Sequence, residues 1–343
     1  MRRGKHPKAL ALAALGLSAL LLAGCAPSVI SGMRIPAAGP GQGSAEVVPT
    51  PDFTLPSQGG VPRTDAQQTY GSAGLLAWPT TLVSVYLDEK DGAAWTQEMI
   101  GQSQENLAQA VGWIGAQAGT YGVTPRIHCD DGAGDPSTLL FVHSTYDGTF
   151  PDGQDDEDSA VLDEAFTALC ESLDTEALHQ KYATSSVGFL LFLPVPGSSY
   201  SMVHYMDNGS AYYYEYSCLY AYDLYSGPTV PEGPATYAHE ILHLYGAPDL
   251  YEGSTDQFAT PELLDYVAQT WPDAIMRDTY TPDGAIQYGG IDQTLCPLTA
   301  YRLGLCDSFE GMEVWSDVAA LPPAAFGSED GGHIGLTPPQ TAA

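Results

Sequence analysis

Residues 233–249 read GPATYAHEILHLYGAPD, and this stretch decides how the rest of the chain is interpreted. Its proline, at the second position, suits the first turn of a helix, where the missing N–H is not needed. His239 and His243 are four residues apart, so a helix places both imidazoles on one face, at a spacing that allows them to bind one metal ion. Glu240 is rotated by about 100° from His239 and therefore points beside the metal. Gly246 is a natural helix stop, since glycine accepts the left-handed conformation.

The turn at Gly246 also predicts the third ligand. It brings Asp249 back towards the two histidines, and three protein ligands with one open position are what a catalytic zinc site needs. A more distant glutamate is the alternative, with Glu252 and Glu262 as candidates. The position of the glycine favours Asp249.

The pattern His-Glu-x-x-His-x-x-Gly-x-x-Asp over residues 239–249 resembles the metzincin-type zinc metallopeptidases, in the variant with Asp in place of a third His. It looks most like the snapalysin and immune inhibitor A groups of secreted bacterial peptidases. The tripeptide Ala274-Ile275-Met276 is similar to the Met-turn that runs beneath the metal in that family. Residues 298–304 suit its C-terminal helix. The resemblance spans about residues 235–305 and implies an α+β fold with a mixed twisted sheet, an active-site helix, a Met-turn and a C-terminal helix.

The resemblance also implies a mechanism. Zinc lowers the pKa of its bound water towards about 7, Glu240 accepts the proton, and the hydroxide attacks a peptide carbonyl. Glu240 then returns the proton to the leaving amine. Some family members carry a tyrosine two residues after the turn methionine that stabilises the oxyanion, but this chain has Asp278 there. Tyr280 is the candidate for that role, and Tyr288 is the second choice.

Two functions follow as expectations. The first is a zinc-dependent endopeptidase that hydrolyses proteins or peptides. The second is a non-catalytic surface lipoprotein that uses a metallopeptidase-like scaffold to bind a ligand or a partner. The presence of Glu240 beside the three ligands favours the enzyme, because a binding protein has no need of a general base.

The N-terminus has the pattern of an export signal. Four Lys or Arg in the first eight residues precede an apolar run over 9–23, which is shorter than the roughly 20 residues of a membrane-spanning helix. The run ends in Leu22-Ala23-Gly24-Cys25, which resembles the lipobox of bacterial lipoproteins. This implies a signal peptide over 1–24 and a lipid on Cys25; an ordinary secretory signal is the alternative. We expect a protein anchored to the cell membrane by lipid and facing outwards, at the cell surface or in the periplasm.

Composition divides the remaining chain. Residues 25–77 are rich in Pro and Gly and predict a flexible tether, and residues 319–343 predict a flexible tail. The catalytic domain is then expected over 78–318. Within it, periodicity predicts strands at 81–88, 126–129, 139–143 and 187–195, a Tyr-rich edge strand or hairpin at 212–222, and helices within 93–118 and over 159–179.

Charge limits the partners. The chain has 42 Asp or Glu and 11 Lys or Arg, for a net charge of -31, and this excess argues against nucleic-acid binding. Loss of residues 1–24 removes four positive charges and no negative ones, which leaves 7 against 42 and a net charge of -35. We expect a monomer whose acidic surface keeps the anchored domain away from an anionic membrane.

Two features leave alternatives open. The run DGQDDED at 152–158 is either a Ca²⁺ site or a solvated acidic loop. Besides Cys25 there are five cysteines, an odd number that leaves one thiol unpaired: Cys129, Cys170, Cys218, Cys296 and Cys306. The last two flank the predicted C-terminal helix and can pair only if that helix is short or broken.

Overall fold

The structure, a computed structural model, describes residues 73, 76–130, 132, 134–152, 162, 166, 169, 172–184, 186–202, 216–254 and 259–315. The predicted signal peptide, Cys25, the tail over 319–343 and all but the first residue of the acidic run lie outside these residues, as does nearly all of the tether. In the part of the chain that is described, no helix is long and apolar enough to cross a membrane.

Strands and helices alternate through the first half of the chain. In chain order they are β1 Thr80–Glu89, α1 Gln97–Thr120, β2 Ile127–His128, β3 Phe141–Tyr146, α2 Thr175–Tyr182, β4 Ser186–Gly197, β5 Tyr200–Met202, β6 Tyr216–Asp223, α3 Pro234–His243, α4 Pro261–Thr270 and α5 Pro297–Arg302. The expected α+β class is confirmed.

One mixed sheet organises the molecule. Its order is β2-β1-β4-β6-β5, and β3 pairs with β1 further along the edge that β2 occupies. All pairs are parallel except β5 with β6, which are antiparallel. β1 and β4 lie next to each other inside the sheet and are buried along most of their length, as strands covered on both faces are.

The two faces of the sheet form two cores. On one face, Leu82 and Tyr86 of β1 pack with α1 and α3. On the other face, Val83 and Val85 pack with Phe166. This alternation follows from the two-residue period of a strand. It places α1 and the helix that carries the His-Glu-x-x-His pattern on the same side of the sheet.

Two expectations about elements were wrong. The helix over 159–179 is not continuous: Leu162, Phe166 and Leu169 are helical, but Asp174 caps a new helix with its Oδ1 accepting from the amide of Ala177 at 2.9 Å. For the Tyr-rich segment, predicted to be an edge strand or a hairpin, only the edge alternative is wrong, because β6 pairs antiparallel with β5, as in a hairpin. In the described sheet β6 lies between β4 and β5, and the edge strand is β5.

The C-terminal helix is short. α5 has six residues, fewer than the nine that lie between Cys296 and Cys306, so the helix is short, as a bond between these two cysteines would require. The two cysteines nevertheless form no disulfide, and neither do Cys129 and Cys218. The thiol of Cys306 lies 3.7 Å from the carbonyl oxygen of Pro297.

Candidate metal centre

Helix α3 begins and ends where the sequence predicts. Gly233 is its N-cap, and proline occupies the first turn. A Cβ on Gly233 would lie 2.5 Å from Ile286 Cγ2 and 3.0 Å from the carbonyl oxygen of Gln287, so only glycine fits. The helix ends at His243, and Gly246 follows with a φ of 94°, the left-handed turn expected of it.

That turn brings three ligand atoms together. Asp249 Oδ1 lies 3.1 Å from His239 Nε2 and 3.1 Å from His243 Nε2. The two Nε2 atoms are 3.2 Å apart. Among the described residues, no other group of three His, Cys, Asp or Glu ligand atoms lies within 4.8 Å of one another.

Backbone carbonyls fix the tautomer of both histidines. His239 Nδ1 lies 3.0 Å from the carbonyl oxygen of Ile275, and His243 Nδ1 lies 2.8 Å from that of Ala247. A carbonyl oxygen only accepts, so each Nδ1 carries a proton, and in the neutral form of each ring the lone pair of Nε2 points towards Asp249. Hydrogen bonds of this kind orient metal-binding histidines.

With both rings neutral, the three groups present acceptors to one another, which calls for a proton or a metal ion between them. Burial disfavours the charged form of His243, but Asp249 and Glu240 outweigh burial and raise its pKa to about 9. The pKa of His239 is raised in the same way, against the effect of burial. Burial alone would raise the pKa of Asp249, but the two imidazoles hold it well below its usual range. Two imidazoles and one carboxylate are a donor set that suits Zn²⁺.

A turn at residues 274–278 contacts the site. The amides of Arg277 and Asp278 both donate to the carbonyl of Ala274, at 3.0 and 3.3 Å. Met276 is fully buried, and its carbonyl accepts from the amide of Leu250 at 2.8 Å. The turn thus holds the residue after Asp249 as well as the ring of His239.

Glu240 lies beside the three ligands and is itself held in place. Its Oε1 is 4.0 Å from His239 Nε2, and its Oε2 accepts from the hydroxyl of Ser201 on β5 at 2.8 Å. The hydroxyl of Ser217 donates to the Glu240 carbonyl at 2.9 Å. The Ser201 oxygen lies 3.0 Å from the same carbonyl, but its single proton goes to Oε2. One carboxylate oxygen is therefore anchored by the sheet, and the other faces the ligands.

A cavity of about 260 Å³ adjoins the site, and His239 and Glu240 form part of its wall. Tyr280 also lines the cavity, but its hydroxyl donates to Asp223 Oδ1 at 3.0 Å. To stabilise a reacting carbonyl, the Tyr280 hydroxyl would have to leave Asp223 and donate to the substrate instead. That role stays a prediction.

The structure places the alternative residues elsewhere. Tyr288 is 54% exposed, and its hydroxyl donates to the carbonyl of Pro231 at 2.6 Å. Glu252 is exposed, and Glu262 is exposed in the first turn of α4. Neither glutamate belongs to the group of three ligand atoms.

Sequence reasoning missed three residues of the site. Ser201 reaches Glu240 from another strand, so no local spacing reveals it. Glu232 and Tyr251 both line the cavity, and each lies next to the motif in the sequence, but neither fits a ligand spacing. The feature that marks Glu232 as a site residue is its burial, since it is only 3% exposed, and burial can be seen only in the folded chain.

Comparison of the chain with models of known protein families, with curated proteins and with solved structures finds no match. Its function must therefore be argued from the site itself.

Proposed function

We propose that this protein is a zinc-dependent endopeptidase of the metzincin type. The observation that carries the proposal is the convergence of His239, His243 and Asp249 within 3.2 Å, with both Nδ1 protons bound to carbonyls. A structural zinc site is closed by four ligands, whereas three ligands and a neighbouring carboxylate are typical of a hydrolytic site.

Glu240 is the general base in this proposal. Zinc, when bound, supplies Lewis acidity and lowers the pKa of a coordinated water towards about 7. Glu240 is buried close to that position, with Oε2 fixed by Ser201 at 2.8 Å, so Oε1 is free to take a proton and to return it to the leaving amine. The hydrogen bonds from the sheet keep the carboxylate in one orientation, so little conformational entropy is lost when it is positioned for proton transfer.

Further features support the metzincin type. The site helix α3 packs on a mixed sheet, the turn at 274–278 lies against both ends of the ligand set, and the short helix α5 follows it. We assign the roles of Met-turn and C-terminal helix to these two segments.

An extended substrate has a place to bind. In the described sheet β5 pairs only with β6, so its other edge can receive a peptide strand through backbone hydrogen bonds. Ser201 of β5 touches Glu240, so a peptide on that edge passes beside the general base. Binding through the backbone of an internal segment favours an endopeptidase.

The location of the enzyme is a proposal from sequence alone. Residues 1–24 are proposed to direct export, Cys25 to carry the lipid, and residues 25–77 to tether the domain to the outer face of the membrane.

Glu240→Gln tests the function. The amide keeps the shape and the hydrogen bond to Ser201 but cannot accept the proton, so we expect one zinc per chain and a fall in kcat of about 10²-fold or more. Metal analysis and hydrolysis of casein, with and without a chelator, measure both properties. Glu105→Gln is the control, because it makes the same change on the exposed side of α1.

Two outcomes would contradict the proposal. If Glu240→Gln cleaves casein as fast as the parent protein, Glu240 is not the base. If the parent protein binds zinc tightly but cleaves no protein or peptide, the site belongs to a binding protein on a peptidase-like scaffold.

A further inference from the structure

The cavity beside the metal ligands has an unusual charge. Four carboxylates line it, and they come from three separate parts of the chain: Asp223, Glu232, Glu240 and Asp278. Arg277 lines it too, but its guanidinium donates to the carbonyl of Pro272 at 3.0 Å. Among the described residues, no Lys or Arg nitrogen lies within 4.0 Å of any of the four carboxylates.

Glu232 is a buried carboxylate of this wall, and the side chain of Thr236 is one of its hydrogen-bond partners. It is 3% exposed; Oε1 accepts from the amide of Gly233 at 2.9 Å, and Oε2 has the hydroxyl of Ser199 at 3.5 Å. Burial is the main cause that raises its pKa to about 7, and the charges of Asp223 and Glu240 add to the effect. A cation that entered the cavity would relieve this penalty.

The mouth of the cavity carries exposed aromatic rings. Tyr225 is 67% exposed and Tyr251 is 41% exposed, and both line the cavity. Only four large apolar or aromatic side chains are exposed in the described part of the chain, and two of them are here. The faces of tyrosine rings attract ammonium and guanidinium groups. The rings and the acidic wall thus favour the same kind of ligand.

The spacing of the acids points to an organic cation. A metal ion would need three ligand atoms close together, and the only such group in the described residues is His239, His243 and Asp249. The volume of about 260 Å³ is small for a drug-sized ligand and suits one side chain.

We propose that the cavity receives the side chain of a lysine or arginine next to the peptide bond that is cut, and that Glu232 determines this preference. The inference rests on the proposed function, because the cavity shares His239 and Glu240 with the hydrolytic site.

Cleavage of a peptide library tests the preference. The zinc-loaded full chain is incubated with proteome peptides produced by cleavage at glutamate, which leaves Lys and Arg at internal positions, and the new ends are sequenced. We expect Lys and Arg to be enriched about fivefold or more at one position beside the cut. In matched peptides, kcat/KM for lysine should exceed that for norleucine about tenfold, the effect of one hydrogen bond to a charged group.

Glu232→Gln should bring the ratio of lysine to norleucine close to one, whereas Glu105→Gln should keep it. Binding gives a second readout. Zinc-loaded Glu240→Gln is titrated with a lysine peptide blocked at both ends, with its norleucine counterpart, and with a norleucine peptide that has a free amino terminus. We expect the blocked lysine peptide to bind about tenfold more tightly than either, and the difference to disappear when Glu232→Gln is added.

These results separate the two proposals. Cleavage with no enrichment of Lys or Arg, or an enrichment that survives Glu232→Gln, overturns the cation pocket and leaves the hydrolytic function. If only the norleucine peptide with a free amino terminus binds more tightly, the cation pocket for a side chain is also overturned. Binding of lysine through Glu232 without cleavage of any peptide keeps the pocket and overturns the hydrolytic function.

Discussion

Two histidine rings are fixed by carbonyl oxygens that lie far from them in the sequence or across a tight turn. His239 is held by Ile275, and His243 is held by Ala247. Both hydrogen bonds pre-orient Nε2, so little reorganisation is needed when a cation binds. The same arrangement leaves three acceptors facing one another, which is costly in a buried site unless a proton or a metal ion lies between them.

Glu232 should make the stability of the protein depend on pH. Its folded pKa of about 7 is above the usual 4.5, so its contribution is fully present below pH 4.5 and is lost as pH rises through 7. Glu232→Gln cannot ionise. With zinc chelated, we expect the variant to gain about 3 kcal/mol of unfolding free energy over the parent between pH 4.5 and pH 8, as measured by urea denaturation.

The matched control for this pH dependence is Glu105→Gln. Its side chain is exposed, so its unfolding free energy should follow that of the parent protein at every pH. If the unfolding free energies of Glu232→Gln and the parent changed in parallel from pH 4.5 to pH 8, burial would not raise the pKa of Glu232.

At the scale of elements, α3 is defined by its two ends. Gly233 allows the close approach of Gln287, and Gly246 adopts a φ of 94° that turns the chain towards Asp249. These ends set the direction of the helix and the position of the third ligand. Between the two ends, the apolar residues of the helix pack into the core and keep the two histidines on one face.

Gly233→Ala should therefore be destabilising. The added Cβ meets Ile286 at 2.5 Å and the backbone of Gln287 at 3.0 Å, and overpacking of this kind costs about 1–3 kcal/mol. Gly101→Ala in α1 is the matched control. Nothing lies within 4 Å of its Cβ, so the change should stabilise by about 0.5–1 kcal/mol through helix propensity. Thermal or urea denaturation measures both changes, and equal shifts in the two variants would show that the contact with Gln287 is not tight.

Element predictions from the sequence were right where periodicity was long and unbroken. α1 and β4 agree with the predicted helix and strand because one apolar stripe or one apolar run spans each of them. The helix over 159–179 was wrong because apolar spacing does not show that Asp174 caps a new helix. The position of β6 was wrong because strand order depends on pairing partners that lie far away in the chain.

At the scale of the whole molecule, the site is assembled from parts of the sheet and from loops around one helix. β5 supplies Ser201, the turn after β6 supplies Glu232, and the turn at 274–278 supports His239. Because the carboxylates come from separate segments, this acidic chain, with a net charge of -31, gathers negative charge at one cavity without a local acidic run there.

The proposed membrane attachment is expected to depend on Cys25. Cys25→Ser removes the thiol that would carry the lipid, so the protein should move from the detergent phase to the aqueous phase and lose labelled palmitate. Cys306→Ser, within the described domain, should keep both properties. A Cys25→Ser protein that stays in the detergent phase would show that another feature anchors it.

The helix with its two histidines, the glutamate between them, the helix stop and the choice of Asp249 could be predicted without a structure, because they follow from local geometry over 17 residues. The remaining features of the site required the fold. The tautomers of the histidines, the anchoring of Glu240 by Ser201, the burial of Glu232 and the acidic cavity all depend on contacts between distant segments. Such contacts leave no periodic signal in a single sequence, since each is made by residues that only the folded sheet brings together.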